Sequence, residues 1–120
     1  MTNLESSENY LEAILILKNK NGVVKAIDIV NMLEFSKPSV SIAMKKLRES
    51  GHITVDAENH IELTKTGRIV AEKVYDRHRL ICLALKQIGV PDDIAAVDAC
   101  RIEHIVSEET IVALRKYTEK

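Results

Sequence analysis

Apolar residues recur at helical spacing through most of this chain and alternate with polar ones in one short stretch. Leu11, Ile14, Leu15 and Leu17 mark a first helix, with Ser6 or Ser7 as its expected cap and Asn21-Gly22 as its stop. A short extended piece at Val23-Val24 leads into a second helix, on which Ala26, Ile29, Val30 and Leu33 stand at i, i+3, i+4 and i+7. Glu34-Phe35 makes a turn. A third helix begins at Ser36 or Lys37, where Pro38 suits the first turn because its missing N–H would have no intrahelical partner there, and it ends at Ser50-Gly51. His52 to Val55 and Ile61 to Leu63 then alternate across Asp56-Ala57-Glu58-Asn59, the pattern of a two-stranded hairpin. Thr64 or Thr66 caps a fourth helix running to about Ile88, and Gly89 with Pro91 breaks it before two or three short C-terminal helices. Helix, turn, helix and hairpin in this order are the parts of a winged helix-turn-helix. The expected fold class is mainly α with a small β wing: a winged helix-turn-helix over residues 1–72, then a helical domain over residues 73–120.

Stepping 100° per residue along the third helix puts Val40, Ala43, Met44 and Leu47 on one face, the core side. The opposite face carries Pro38, Ser39, Ser41, Ile42, Lys45 and Lys46, and Ser36 to Arg48 contains four cations and no acid. Taken alone, such a helix reads as a solvated surface helix; followed by a wing, it reads as one that enters a major groove. Small hydroxyls allow close approach to bases and phosphates, and lysines supply counterion release. The expected DNA-binding residues are Ser36, Lys37, Pro38, Ser39, Ser41, Ile42, Lys45 and Lys46. Ile42, an aliphatic among them, suits a thymine methyl.

Composition narrows the function classes. Lys plus Arg number 17 against 18 Asp plus Glu, a formal charge of −1, so any affinity for nucleic acid must come from a local patch. No run of eighteen apolar residues occurs, and Met1 to Tyr10 is polar and acidic, which places the chain in the cytoplasm. Aromatic residues make up only 3%, little material for stacking single-stranded bases. No HExxH, glycine-rich phosphate loop or nucleophile elbow is present, so no enzyme is expected. Cys82 and Cys100 lack CxxC spacing and fit reduced thiols. Cys100, Glu103 and His104, at i, i+3 and i+4, aim a thiolate, a carboxylate and an imidazole to one side of a helix. His78 with Cys82 one turn later, and Glu12 beside Asn9, offer more donors from two other segments. Mixed N, O and S donors suit a divalent d-block ion, whereas each residue singly has a bland reading as a packed thiol or a solvated charge. A rival reading is a metal-independent winged-helix regulator switched by cysteine oxidation or an organic ligand.

The chain resembles the diphtheria-toxin-repressor family of metalloregulators, which includes iron-dependent repressors and manganese transport regulators. The resemblance runs through Glu8-Asn9-Tyr10-Leu11-Glu12, Ser36-Lys37-Pro38-Ser39-Val40-Ser41, Leu63-Thr64-Lys65-Thr66-Gly67, His78-Arg79-Leu80 and Ala99-Cys100-Arg101-Ile102-Glu103-His104. It implies a homodimeric repressor with an N-terminal winged helix, a helical dimerisation domain and metal sites, acting on palindromic operator DNA. The 120 residues end before the SH3-like domain often found in the iron branch, as the manganese branch does. The resemblance implies ligand roles for Glu12, His78, Cys100, Glu103 and His104. Cys100 follows the iron branch and Glu12 the manganese branch, while Asn9 matches neither. Cys82 replaces an acidic ligand of the iron branch's ancillary site and Ala96 a histidine, which leaves Cys82 and Asp98, with Asn9, as assisting candidates. A thiolate softens the site, so Fe(II) is expected first and Mn(II) second.

Overall fold

A computed structural model describes residues 3–119 of the chain. The chain divides into two compact units, Met1–Glu72 and Lys73–Lys120.

The first unit opens with α1, Asn3–Asn21. This helix is already formed at Asn3, so Ser6 and Ser7 lie inside its opening turns and do not cap it. Gly22 stops the helix at φ 83°, returning its N–H to the Lys18 carbonyl at 2.9 Å. After α2, Ala26–Leu33, Glu34 takes the left-handed conformation at φ 58° and donates to the Val30 carbonyl at 2.9 Å, which makes the turn between the two DNA-motif helices. Ser36 then caps α3, Lys37–Glu49, its Oγ accepting from the Ser39 N–H at 3.2 Å, with Pro38 in the first turn. Val40, Met44 and Leu47 are buried and Ala43 is half-buried, the face that the spacing predicts.

The wing is an antiparallel pair, β1 Ile53–Val55 and β2 Ile61–Leu63, with Ile53 opposite Leu63 and Val55 opposite Ile61. Ile61 also donates to the Val24 carbonyl at 2.7 Å, so the extended Val23-Val24 segment borders the hairpin, and Lys18 Nζ reaches Glu62 at 3.2 Å. Thr64 fastens the wing to the next helix: its Oγ1 donates to the Gly51 carbonyl at 2.6 Å and accepts from the Gly67 N–H at 3.1 Å. Of the two threonines expected as caps, Thr64 fills the role. A Cβ at Gly67 would stand 1.9 Å from the His52 carbonyl oxygen, so only glycine allows this approach.

From there α4, Lys65–Gln87, continues into the second unit, followed by α5, Asp92–Ile102, and α6, Glu108–Thr118. Gly89, at φ 102°, turns the chain after α4. Leu80, Ile81, Ala99 and Ile111 form a small core that Cys82, Leu85, Ile102, Val106 and Leu114 pack against. Arg115 Nη2 bonds Asp76 at 2.6 Å, joining α6 to α4. Among the described residues no helix is long and apolar enough to cross a membrane.

Candidate metal centre and nucleic-acid interface

Capping by Ser36 and burial of Val40, Met44 and Leu47 leave the other side of α3 in solvent. Ser36, Lys37, Pro38, Ser39, Ser41, Ile42, Lys45 and Lys46 are all exposed. Ile42 is 57% exposed and forms a ridge between two grooves. One, of about 410 Å³, runs between α3 and the wing past Lys45, Arg48 and Asn59; the other, of about 370 Å³, separates α3 from α1 beside Ser7, Tyr10 and Lys46. The wing has the opposite charge. Asp56 accepts from the backbone N–H groups of Glu58 at 2.8 Å and His60 at 2.9 Å, and the His60 contact first of all holds its carboxyl below the usual aspartate range. With Glu58 and Glu62 also on the hairpin, the cations of this face belong to α3.

In the second unit, α4 and the end of α5 assemble a buried polar cluster. The last helical residue of α5 is Ile102, and Glu103 closes the helix at φ −57°, ψ −25°, donating to the Ala99 carbonyl at 3.0 Å. Its side chain is completely buried. Glu103 Oε2 meets His78 Nδ1 at 2.9 Å, and Oε1 lies 3.3 Å from His104 Nε2, an ion-pair distance without hydrogen-bond geometry. Oε1 thus has no hydrogen-bond partner among the described residues. A buried carboxylate costs free energy unless positive charge or donors replace its water. A carboxylate between two imidazoles, with one buried oxygen unused, fits a divalent cation by donor chemistry as well as by charge.

The sequence-predicted ligands fall in different surroundings. His78, Glu103 and His104 come together, while Cys100 stands exposed on α5, three residues before a wholly buried glutamate. Cys82 is half-buried on α4 and Asp98 exposed on α5. Glu12, buried, and Asn9, half-buried, belong to α1 of the first unit. One residue escaped the sequence reading. Arg77 donates to the main-chain carbonyls of Glu103 at 3.3 Å and Val106 at 3.2 Å, and to the Glu108 carboxylate. Its position next to His78 was the available signal, but nothing in the spacing says which carbonyls an arginine will reach.

Comparison with known proteins yields a consistent set. Residues 3–61 match the family described as iron dependent repressor, N-terminal DNA binding domain, and residues 64–120 match iron dependent repressor, metal binding and dimerisation domain. The chain is 31% identical over 118 residues to the uncharacterized HTH-type transcriptional regulator MJ0568 of Methanocaldococcus jannaschii, covering 97% of this chain and 94% of that protein. It is 34% identical over 116 residues to the transcriptional regulator MntR of Escherichia coli, covering 97% of this chain and 75% of the other. Among solved structures, the manganese regulator SloR superimposes with a TM-score of 0.84 at 30% identity, over 99% of this chain. The chain spans about half, 55%, of that regulator's length.

Proposed function

The chain belongs to the iron-dependent repressor family of metal-dependent transcriptional regulators, and from that premise we propose that it binds palindromic operator DNA as a homodimer and represses metal-homeostasis genes in the cytoplasm when a divalent transition metal is bound. The observation that supports this best is Glu103, a fully buried carboxylate with two imidazoles beside it and one oxygen without a hydrogen bond among the described residues. The proposed ligands are Glu12, His78, Cys100, Glu103 and His104, with Asn9, Cys82 and Asp98 as assisting groups. Bound there, the ion would supply the positive charge that the carboxylates lack and a fixed coordination geometry for their helices. His78 and His104 orient the Glu103 carboxylate, and the exposed side of α3 enters the major groove. Lys37, Lys45, Lys46 and Arg48 neutralise phosphates, and Ser36, Ser39 and Ser41 approach base edges and phosphates. The second unit exposes Leu83, Ile88, Ile94, Val97 and Val112, apolar surface that a second copy would cover.

Fe(II) is proposed first and Mn(II) second. The matching family is described as iron dependent, SloR is a manganese regulator, and a Cys100 thiolate favours softer ions than Mn(II). The relatives are named as regulators, which fits a non-enzymatic role. The test is selection of genomic DNA fragments by purified apo-protein under anaerobiosis, with Fe(II), Mn(II), Zn(II) or chelator added separately. Metal-switched binding to a palindrome, abolished by Cys100→Ala and by His104→Ala, is the expected result. Equal binding in chelator overturns the metal mechanism and turns attention to the exposed Cys100 thiol as an oxidation sensor.

A further inference from the structure

Arg77 precedes His78 on α4, and its side chain is 14% exposed. Nη1 donates to the carbonyls of Glu103 at 3.3 Å and Val106 at 3.2 Å, while Nη2 donates to the Glu108 carboxylate, which also takes Lys73 Nζ at 3.2 Å. The last carbonyls of a helix have no intrahelical donor. At the end of α5 a permanently charged guanidinium supplies a donor to the Glu103 carbonyl, on the side where the peptide dipoles favour a cation, and the same nitrogen reaches the Val106 carbonyl just before the Ser107 cap of α6. One residue further along α4, His78 meets the Glu103 carboxylate at 2.9 Å. The same glutamate is therefore gripped twice from one helix, by its main chain and by its side chain.

We infer that Arg77 is the positioning residue of the metal centre, an inference that rests on the metal reading given above. By fixing the Glu103 main chain, Arg77 holds the carboxylate at His78 before any ion arrives, so less ordering remains to be done when the ion binds. Lys73 and Glu108 extend the grip to the start of α6. A second bridge provides the internal control: Arg115 to Asp76, at 2.6 Å, also joins α4 to α6 but, among the described residues, makes no bond to the end of α5.

The experiment is an anaerobic Co(II) titration of the full chain, read by the visible ligand-field spectrum, with thermal unfolding of each apo-protein alongside. Arg77→Ala is expected to weaken Co(II) binding on the order of 10- to 100-fold and to alter the spectrum. Arg77→Lys should recover part of the loss, because one ammonium can serve the carbonyls that Nη1 serves but has no second nitrogen to hold Glu108 at the same time. Arg115→Ala should lower the apo-protein Tm while leaving affinity and spectrum at wild-type values. Wild-type Co(II) affinity in Arg77→Ala overturns the inference, as does an equal loss in Arg115→Ala. Should Arg77→Ala not fold, Arg77→Lys with a wild-type apo Tm carries the test, and undiminished affinity there refutes it. If the wild-type protein itself binds no Co(II), the metal reading fails and this inference falls with it.

Discussion

A carboxylate withdrawn from water is stable only where other charge or donors replace the water, and Glu103 has two imidazoles beside it and, among the described residues, no hydrogen bond to Oε1. Its neighbour in sequence, Cys100, shows how much environment changes within one turn: it is exposed where Glu103 is wholly buried. Helical spacing puts both on one side, but burial also depends on where α5 ends, and it ends between them. Ile42 is the converse case, an aliphatic left 57% exposed among hydroxyls and cations. Exposed apolar surface on a groove-facing helix gains free energy when it meets a thymine methyl. Replacing the thymine under α3 by a base without the methyl is expected to weaken wild-type binding by about 0.8 kcal/mol and to leave Ile42→Ala binding unchanged. Quantitative mobility-shift titrations on paired operators measure the difference, and a wild-type protein indifferent to the methyl would sink the idea.

At the scale of elements, α3 and the wing divide the electrostatic work unequally. Cations lie on α3, while Asp56, Glu58 and Glu62 make the hairpin acidic. The logarithmic dependence of operator affinity on salt should therefore fall by about 1 for each of Lys45→Ala and Lys46→Ala. Glu58→Ala should not reduce that slope, and a reduction would mean that the wing participates differently. In the second unit α4 and α6 are joined through Glu108, whose carboxyl is held below its ordinary value of 4.5 first by the Lys73 bond and then by Arg77. The lowered value fixes the sign: this contribution to stability is complete above about pH 4.5 and disappears as pH falls through the depressed folded value. The Tm of apo-protein should drop more steeply across that acid window for wild type than for Glu108→Gln, and parallel curves would show the pair to be inconsequential. Much at this scale is legible in the chain itself. Ser36 with Pro38, the burial of Val40, Met44 and Leu47, and the hairpin across Asp56 to Asn59 follow from short-range pattern. The start of α1 does not, because serine accepts a place inside a helix when no stronger break precedes it.

For the whole molecule, the proposed linkage has a thermodynamic consequence that needs no knowledge of the path between the sites. If metal tightens operator binding, operator must tighten metal binding by the same factor, typically about 1–3 kcal/mol. Co(II) titrations with and without operator DNA measure this, and identical affinities would refute the linkage. The sequence by itself determined the order of helices and wing, the cationic face of α3 and the identity of the donor-rich positions, because periodicity, caps and turn residues act over a few residues and leave their mark in composition. Only the tertiary structure decided that His78 and His104 flank one buried carboxylate, that Thr64 and not Thr66 locks the wing to α4, and that Arg77 clasps the end of α5. The bonds from His78 and Arg77 to Glu103 span 25 and 26 positions and depend on how the small core of Leu80, Ile81, Ala99 and Ile111 packs, while the Thr64 bond spans 13 positions within the first unit. Many pairings of the same helices satisfy the same hydrophobic pattern, and the choice among them rests on complementary side-chain shapes that no local spacing records.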